Sequence, residues 1–195
     1  MHMITDQQVA QVLTMREAID ALRQAFIQFG NGAGAVLARG RATAEFEGRA
    51  STISAMGAAL PGTDVVGTKV YSTVNGQFNF VIVLFSATTG SLLATMQANQ
   101  LTRLRTAAAT ALAAEKLVRK DARVLAIFGS GVQAQAHIEA LLLVHPFTQV
   151  LVCARSNAQQ FATDITAKYK IPTAVVDAMT AASTADTIVT CTRSN

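Results

Sequence analysis

A glycine-rich turn between an apolar strand and a helix limits the possible folds more than any other feature of this sequence. Gly129, Gly131 and Ala134 form the pattern G-x-G-x-x-A directly after the apolar segment 124–128. In this pattern the first glycine permits a tight turn, the second lets the backbone approach a pyrophosphate, and the alanine keeps helix and strand close. The turn favours a dinucleotide-binding βα unit over a glycine-rich turn without a ligand.

The end of the next predicted strand distinguishes between two dinucleotides. An NAD site places an acidic side chain about 20 residues after the glycine turn, where it binds the ribose hydroxyls. Here the strand 149–154 is followed by Arg155, Ser156 and Asn157, with no acid. A guanidinium offers a planar fork of donors that suits the additional phosphate of NADP. We therefore predict NADP, with NAD as the alternative. The other possibility for Arg155 is a solvent-exposed position in a loop.

Strand and helix patterns alternate from Arg123 onward, which is typical of a doubly wound parallel sheet. The predicted strands cover 124–128, 149–154, 173–176 and 187–191, and the longer predicted helices cover 132–143 and 158–169. This region is the first part of a Rossmann domain, which we place at 121–195.

The region before it, 1–120, has a different organisation. Its first 30 residues have helical spacing, with possible capping boxes that begin at Thr5 and Thr14. Strands 65–74, 78–85 and 91–97 then predict an antiparallel meander, with a hairpin at Asn75-Gly76. An alanine-rich helix, 102–118, follows. The predicted fold class is α/β: an α+β region with an antiparallel sheet, followed by a partial Rossmann domain.

Composition excludes several classes of protein. The chain has 195 residues, of which 51% are hydrophobic and 14% charged, which excludes a disordered chain. The longest apolar run, 78–87, has about half of the roughly 20 residues that span a bilayer. The net charge is +4, and the 16 lysines and arginines are scattered along the sequence rather than clustered. We therefore expect neither nucleic acid nor a membrane as a partner. No signal peptide is evident at the N-terminus, and we expect a cytoplasmic protein.

Histidines and cysteines give no indication of a metal site. His2, His137 and His145 do not have the spacing of metal ligands, and we expect His137 to be structural. Cys153 and Cys191 lie far apart in sequence without a CxxC motif, which is typical of small buried residues in a reducing compartment. Because neither a nucleophile nor a metal is evident, hydride transfer by a bound cofactor fits the sequence best.

Three basic positions in the first region could bind a carboxylate together. Lys69 interrupts an apolar strand, Arg105 lies near the start of the alanine-rich helix, and Arg39 or Arg41 precedes the sheet. A cation near a helix start is electrostatically disfavoured unless an anion binds there. Arginine suits bidentate recognition of a carboxylate and lysine supplies a point charge. The alternative for Lys69 is that its ammonium extends to solvent from an exposed face.

Three stretches of sequence resemble the ornithine cyclodeaminase/mu-crystallin family. They are KVYSTVNG at 69–76, TTGSLLATMQANQLTRLRTAAATALAAEKL at 88–117 and VLAIFGSGVQAQAH at 124–137, and the resemblance runs from about Arg41 to the end. It implies a substrate and dimerisation domain followed by a Rossmann domain, in a homodimer that binds a small imino or amino acid. The family includes ornithine cyclodeaminases, cyclic ketimine reductases, pyrroline-2-carboxylate reductases and an alanine dehydrogenase type.

The same resemblance assigns roles to individual residues. Lys69 matches the lysine that contacts the substrate near the reacting carbon, and Arg105 matches the arginine that holds the substrate carboxylate. Arg41 matches a second carboxylate ligand, although Arg39 is close enough to leave the register open. Thr102 and Arg105 would also lie near the cofactor. The residues that match the pyrophosphate loop are Gly129, Ser130, Gly131, Val132 and Gln133.

Two departures from the family pattern bear on function. Ornithine-cyclising members carry an acid beside the methionine that matches Met56, whereas this chain has Ala55 there. The chain also ends before the position of the family's catalytic aspartate. We therefore expect either a fragment, inactive alone, or a degenerate protein, and favour the fragment.

These observations predict an NADP-dependent reductase of cyclic ketimine carboxylates of the pyrroline- or piperideine-2-carboxylate type. One alternative is an ornithine cyclodeaminase that uses NAD and releases ammonia. An alanine dehydrogenase and a non-enzymatic, crystallin-like protein that binds NADPH are also possible. Lys69 is the candidate catalytic residue among these possibilities.

Overall fold

The computed structural model describes residues 3–74 and 76–192 and divides into two compact units. Along the chain, the boundary between the units lies between Thr102 and Arg103, within a long helix. The first unit contains β1 (Met3–Ile4), α1 (Asp6–Val12), α2 (Met15–Gly30), β2 (Ala35–Phe46), β3 (Arg49–Leu60), β4 (Val65–Val74), β5 (Gln77–Ser86) and β6 (Leu92–Gln97). Helix α3 (Asn99–Leu117) crosses the boundary. The second unit continues with β7 (Val124–Phe128), α4 (Val132–Val144), β8 (Gln149–Cys153), α5 (Ala158–Tyr169), β9 (Thr173–Val175), α6 (Ala178–Thr184) and β10 (Thr187–Thr190).

A six-stranded sheet in the order β1-β6-β5-β4-β3-β2 dominates the first unit. Strands β2 to β6 pair antiparallel with their neighbours, and β1 pairs parallel with β6. The predicted meander is therefore confirmed as β4, β5 and β6. The β4–β5 hairpin is confirmed by the pairing of Val74 with Gln77, while Asn75 of the predicted turn lies outside the described residues.

Strands β2 and β3 were not predicted from the sequence. Each contains four alanines and a glycine, which have low strand propensity, and neither strand alternates regularly in hydropathy. They form because each has a long partner: β2 pairs with β3, and β3 pairs along its length with β4. Tertiary pairing thus overrides local preference here.

Both predicted capping boxes are present at the N-terminal helices. The hydroxyl of Thr5 accepts the backbone N–H of Gln8, and that of Thr14 accepts the backbone N–H of Glu17. The side chains of Gln8 and Glu17 accept the threonine N–H in return. Each helix start thereby has its otherwise unpaired donors satisfied.

The second unit is a four-stranded parallel sheet in the order β10-β7-β8-β9. Its core is apolar, and its largest fully buried side chains include Leu125, Ile127, Ile138, Leu141, Val150 and Val152. Strand order reverses beside β7, since β8 lies on one side and β10 on the other. In open parallel sheets, ligands bind at the carboxyl ends of the strands beside this reversal. The glycine turn follows β7 at that point.

Two predictions about organisation have different outcomes. The partial Rossmann architecture is confirmed by strand order and direction. The division into domains at 120/121 stays a prediction. The two compact units of the structure divide between Thr102 and Arg103, which lie within α3. Among the described residues, no helix is long and apolar enough to cross a membrane.

Asp186 joins the start of β7 to the segment before β10. Its carboxylate accepts the backbone N–H groups of Arg123 at 2.7 Å and Val124 at 2.9 Å, and the guanidinium of Arg119 at 2.7 Å. These backbone hydrogen bonds, together with the charge of Arg119, lower the pKa of Asp186. The carboxylate form therefore stabilises the folded state.

We expect Asp186→Asn to lower the melting temperature at pH 7, because an amide cannot accept all three donors. A carboxyl whose pKa is lowered by folding stabilises above its unfolded pKa, about 4, and loses that contribution as pH falls through its folded pKa. The difference from wild type should therefore close on acidification in thermal melts from pH 7 to pH 2. Asp121→Asn is the control, since exposed Asp121 contacts Arg119 at 3.5 Å; an equal loss there would contradict the assignment.

Candidate functional site

Gly129 is required by the fold of the second unit. Its φ of +118° lies in a region that side chains rarely adopt, and a Cβ there would lie 2.9 Å from the carbonyl oxygen of Cys191. Its N–H donates to the carbonyl of Cys153 at 2.9 Å. The turn is thus held between the ends of β8 and β10, so only glycine fits without movement of the backbone.

Gly131 has a different reason for being glycine. Its φ of −91° is accessible to any residue, and a Cβ there would meet no atom within 4 Å. It is the N-cap of α4 and supplies no side-chain cap, so the first N–H groups of the helix are left for another acceptor. Nothing in the described protein demands glycine here, which points to a ligand that must approach the backbone closely.

Two further features of this turn fit a dinucleotide. The Oε1 atom of Gln133 is buried, and no donor within residues 3–74 and 76–192 reaches it. Leaving such an acceptor unpaired costs about 1–3 kcal/mol, which a hydroxyl donor of a ligand would offset. Ala134 is fully buried against the core, as a close helix–strand contact requires. The residues present therefore fit a pyrophosphate and ribose at the positive end of α4.

The loop after β8 is tied to the glycine turn. The hydroxyl of Ser130 donates to the carbonyl oxygen of Ser156 at 2.8 Å. Arg155 and Ser156 are exposed, and Asn157 takes a positive φ of 54° as the chain enters α5. The hydrogen bond places this loop beside the turn, so the predicted cofactor residues of the second unit form one group.

The predicted substrate residues of the first unit share one face of the antiparallel sheet. Arg41, Ser54, Tyr71 and Phe80 lie directly opposite one another on β2, β3, β4 and β5. Lys69 lies two residues before Tyr71, so it belongs to the same face. Its ammonium is 5.0 Å from the ring centre of Phe80 and 5.7 Å from that of Tyr71. Arg41 and Lys69 are thereby brought to adjacent rows.

Ser54 and Tyr71 are site residues that the sequence analysis missed. Ser54 is 1% exposed and Tyr71 6% exposed, and the Nε of Arg41 donates to the hydroxyl of Ser54 at 3.3 Å. Burial acts to raise the pKa of Tyr71, but hydrogen bonds from Ser54 and Arg41 and the charges of Arg39 and Arg41 outweigh it and lower that pKa. Ser54 lies two residues from Met56 and Tyr71 two residues from Lys69, and in a strand this spacing places both residues of a pair on one face. That spacing was the sequence signal that could have identified them.

The register of β2, β3 and β4 gives the positions of Arg39, Arg41 and Ala55 in the sheet. The β2–β3 pairing shifts between Leu37 and Gly40, so Arg39 lies within the irregularity while Arg41 pairs regularly with Ser54. Ala55 pairs with Val70 and lies on the opposite face from Lys69 and Tyr71. The residue beside Met56 on the site face is therefore Ser54. Ala55 is too far from this face to contact a substrate there, so its use as an argument was wrong, and the preference for a reductase stays a prediction.

The electrostatic reason for singling out Arg105 is also wrong. Helix α3 begins at Asn99, so Arg105 lies beyond its first turn, where the helix dipole has little effect. Arg105 is half-buried and Thr102 is buried, both on α3. Their roles toward substrate and cofactor rest on the family resemblance and stay predictions.

The remaining candidate groups serve the fold. His137 is buried, and its Nδ1 lies 2.7 Å from the carbonyl of Gln133, while burial lowers its pKa. Cys153 and Cys191 are half-buried rather than fully buried, and burial raises the pKa of the Cys191 thiol. In the part of the chain that the structure describes, no group of three or more potential metal ligands comes together; His2 lies outside it.

Comparison with known proteins identifies the family. The family model described as "Ornithine cyclodeaminase/mu-crystallin family" matches residues 1–195. The chain belongs to this family. It is 34% identical to the mouse ketimine reductase mu-crystallin over 138 residues, which cover 66% of this chain and 43% of the mouse protein.

Solved structures of this family match the fold closely. A probable ornithine cyclodeaminase from Bordetella pertussis Tohama I is 38% identical with a TM-score of 0.92, over 100% of this chain and 61% of that one. A Thermococcus litoralis Delta(1)-pyrroline-2-carboxylate reductase, in complex with NADH and L-proline, is 28% identical with a TM-score of 0.88. That match covers 97% of this chain and 61% of the reductase. The chain thus spans less than two thirds of each of these relatives.

The two glycines of the turn should respond differently to alanine. Gly131→Ala should leave the melting temperature unchanged but weaken NADPH binding at least tenfold, about 1.4 kcal/mol, because its methyl group enters the ligand's space. Gly129→Ala should destabilise the fold by about 1–3 kcal/mol, because its φ is positive. Thermal melts and titrations of nicotinamide fluorescence measure both. Unchanged NADPH affinity in folded Gly131→Ala would contradict the ligand-based requirement.

Proposed function

We propose that the full-length protein is an NADP-dependent reductase of cyclic ketimine carboxylates, of the pyrroline- or piperideine-2-carboxylate type. The observation that carries this proposal is the sheet face on which Arg41 and Lys69 occupy adjacent rows above aromatic rings. Arg41, Ser54, Tyr71 and Phe80 form one row, and Met56, Lys69, Ile82 and Met96 form the next. Neither row contains an acidic side chain.

Each part of such a substrate has a counterpart on this face. A carboxylate pairs with the guanidinium of Arg41, whose fork suits its two oxygens. The ring methylenes pack against Phe80 and the ring of Tyr71, which stand 4.9 Å apart. The ammonium of Lys69 orients the imine and acts electrostatically on the reacting carbon. A basic ω-amino group, as in an open-chain diamino acid, meets no carboxylate in these two rows.

The second unit would hold the cofactor. Gly129, Ser130, Gly131, Val132 and Gln133 would bind the pyrophosphate, and Arg155 with Ser156 would bind the additional phosphate of NADP. When bound, the reduced nicotinamide would supply a hydride for the imine carbon, and the imine nitrogen would take up a proton to complete the reduction to the amine. The residues of the turn orient the dinucleotide and exclude water from its phosphates. NAD is the alternative cofactor, and the T. litoralis reductase was solved with NADH.

An ornithine cyclodeaminase is the second candidate, favoured by the likeness to the B. pertussis structure. It would release ammonia without net oxidation of nicotinamide. Two further functions would give distinct results in the same assays. An alanine dehydrogenase would consume reduced cofactor with pyruvate and ammonia, whereas a crystallin-like binding protein would bind NADPH without turning over any imine.

A homodimer is part of the proposal. The face of the sheet opposite Lys69 carries several exposed apolar side chains, with polar residues such as Ser72 and Asn79 between some of them: Leu37, Ile53, Val66, Val74, Val81, Phe85 and Leu92. An apolar surface of this extent is typical of an interface between chains. A second copy of the protein would cover it while leaving the Lys69 face to substrate.

Lys69→Ala in the full-length protein should lower the kcat for 1-pyrroline-2-carboxylate by about 100-fold or more, the effect of removing one electrostatic group at a reacting centre. Its Kd for NADPH should stay unchanged, since Lys69 belongs to the first unit. Arg49→Ala is the matched control, because exposed Arg49 contacts Glu47 at 3.9 Å. Unaltered turnover in Lys69→Ala would remove the assigned role.

Arg155→Ala should reduce the preference for NADPH over NADH by about 10- to 100-fold, the range for a charged hydrogen bond to a phosphate. NADH affinity itself should change little, because NADH lacks that phosphate. Fluorescence titration with both cofactors gives the ratio, and Lys120→Ala, which removes another exposed cation of the second unit, is the control. If wild type already prefers NADH, cyclodeaminase becomes the better candidate.

A further inference from the structure

We infer that Ser54 and Tyr71 are positioning residues that hold the guanidinium of Arg41 ready for the substrate carboxylate. This inference rests on the proposed function, since it concerns the same sheet face. It adds two hydroxyl groups that the family motifs did not single out.

The way Arg41 is bound supports this role. Arg41 is exposed on β2, where a long side chain would sample many rotamers. Its Nε donates to the hydroxyl of Ser54 at 3.3 Å. That contact fixes the plane of the guanidinium and uses the donor nearest the chain. The two terminal nitrogens carry four further N–H donors, enough for a bidentate carboxylate beside the hydrogen bond to Tyr71.

The burial of the two hydroxyl groups supports the same role. Ser54 is 1% exposed and Tyr71 is 6% exposed, in a sheet whose other positions are largely alanine and β-branched or aromatic residues. Burying a hydroxyl is unfavourable unless it is hydrogen-bonded. Ser54 meets that condition by accepting from Arg41. Tyr71 lies directly opposite Ser54 in the pairing of β3 with β4, and Ser54 and Arg41 both lower the pKa of its hydroxyl. The row of Arg41, Ser54, Tyr71 and Phe80 therefore contains buried polar groups at positions that apolar side chains could have filled.

The rigidity of Tyr71 explains how the network can order Arg41. The ring of Tyr71 lies 4.9 Å from that of Phe80 and 6.2 Å from that of Phe78, between centres. The hydroxyl thus extends from a packed aromatic cluster. A hydroxyl on a rigid ring restricts the side chain that it contacts. The packed aromatic cluster therefore reduces the number of rotamers open to Arg41, through Tyr71 and Ser54. Such pre-organisation improves binding by reducing the entropy lost with the ligand.

Tyr71→Phe tests this in the full-length protein, because it removes the hydroxyl and keeps the ring beneath Lys69. We expect KM for 1-pyrroline-2-carboxylate to rise about 3- to 10-fold, the range for one hydrogen bond, with kcat and the Kd for NADPH unchanged. Ser54→Ala should have an effect of the same size. In an Arg41→Lys background, which lacks the fork, Tyr71→Phe should add nothing.

A pair of inhibitors separates positioning from general damage to the fold. Pyrrole-2-carboxylate should bind Tyr71→Phe more weakly than wild type, whereas pyrrole-2-carboxamide should bind both equally. The control is Thr52→Val. It removes the 2.9 Å contact between the hydroxyl groups of Thr43 and Thr52, which joins β2 and β3, the strands that carry Arg41 and Ser54. It should leave KM unchanged.

The outcomes distinguish the two levels of the proposal. If wild type neither reduces the imine nor binds pyrrole-2-carboxylate, the proposed function is overturned. If wild type does both and Arg41→Lys impairs binding while Tyr71→Phe and Ser54→Ala do not, only the positioning role is overturned. Equal weakening of the carboxamide would also overturn it, because the effect would then be independent of the carboxylate.

Discussion

The cross-strand register of β3 against β4 is the constraint on which the candidate substrate site depends. Ser54 faces Tyr71, and Met56 faces Lys69, because these strands pair without interruption from Leu60 to Ser51. A slip of one residue would transfer Lys69 and Tyr71 to the apolar face and bring Val70 to the site. The same alternation that places the cations on one face places Ile53, Val66 and Phe85 on the other, so the proposed substrate face and the proposed dimer face have a common structural origin.

The second unit depends on local geometry instead. Gly129 is fixed by its positive φ and by the carbonyl of Cys191, whereas Gly131 faces open space. One motif thus contains a glycine that the fold requires and a glycine that the fold does not require, for which we propose a ligand. This half was largely predictable from sequence, because each requirement acts within a few residues of the chain. The strands and helices after Arg123 were predictable for the same reason, since apolar runs alternate there with helical spacing.

The first unit was less predictable because its information is non-local. Strands β2 and β3 have small and charged residues, and only pairing with β4 makes them strands. The positions of Arg39 and Arg41 on the sheet depended on an irregularity in β2, which no local pattern indicated, and the choice between them as carboxylate ligand stays a prediction. Ala55 was misassigned because adjacency in sequence is not adjacency on a sheet face. Tyr71 could have been found by its spacing of two from Lys69, had that strand been analysed by faces.

Tyr71 connects the two cations of this face through different parts of one side chain. Its ring lies beneath the ammonium of Lys69 at 5.7 Å, and its hydroxyl belongs to the network of Arg41 and Ser54. A substitution that removes the whole side chain would disturb both cations and could not assign a function to either contact. Removing the hydroxyl alone changes the network and preserves the aromatic surface. The phenylalanine variant therefore separates carboxylate recognition from support of the reacting centre, because each depends on a different part of the tyrosine.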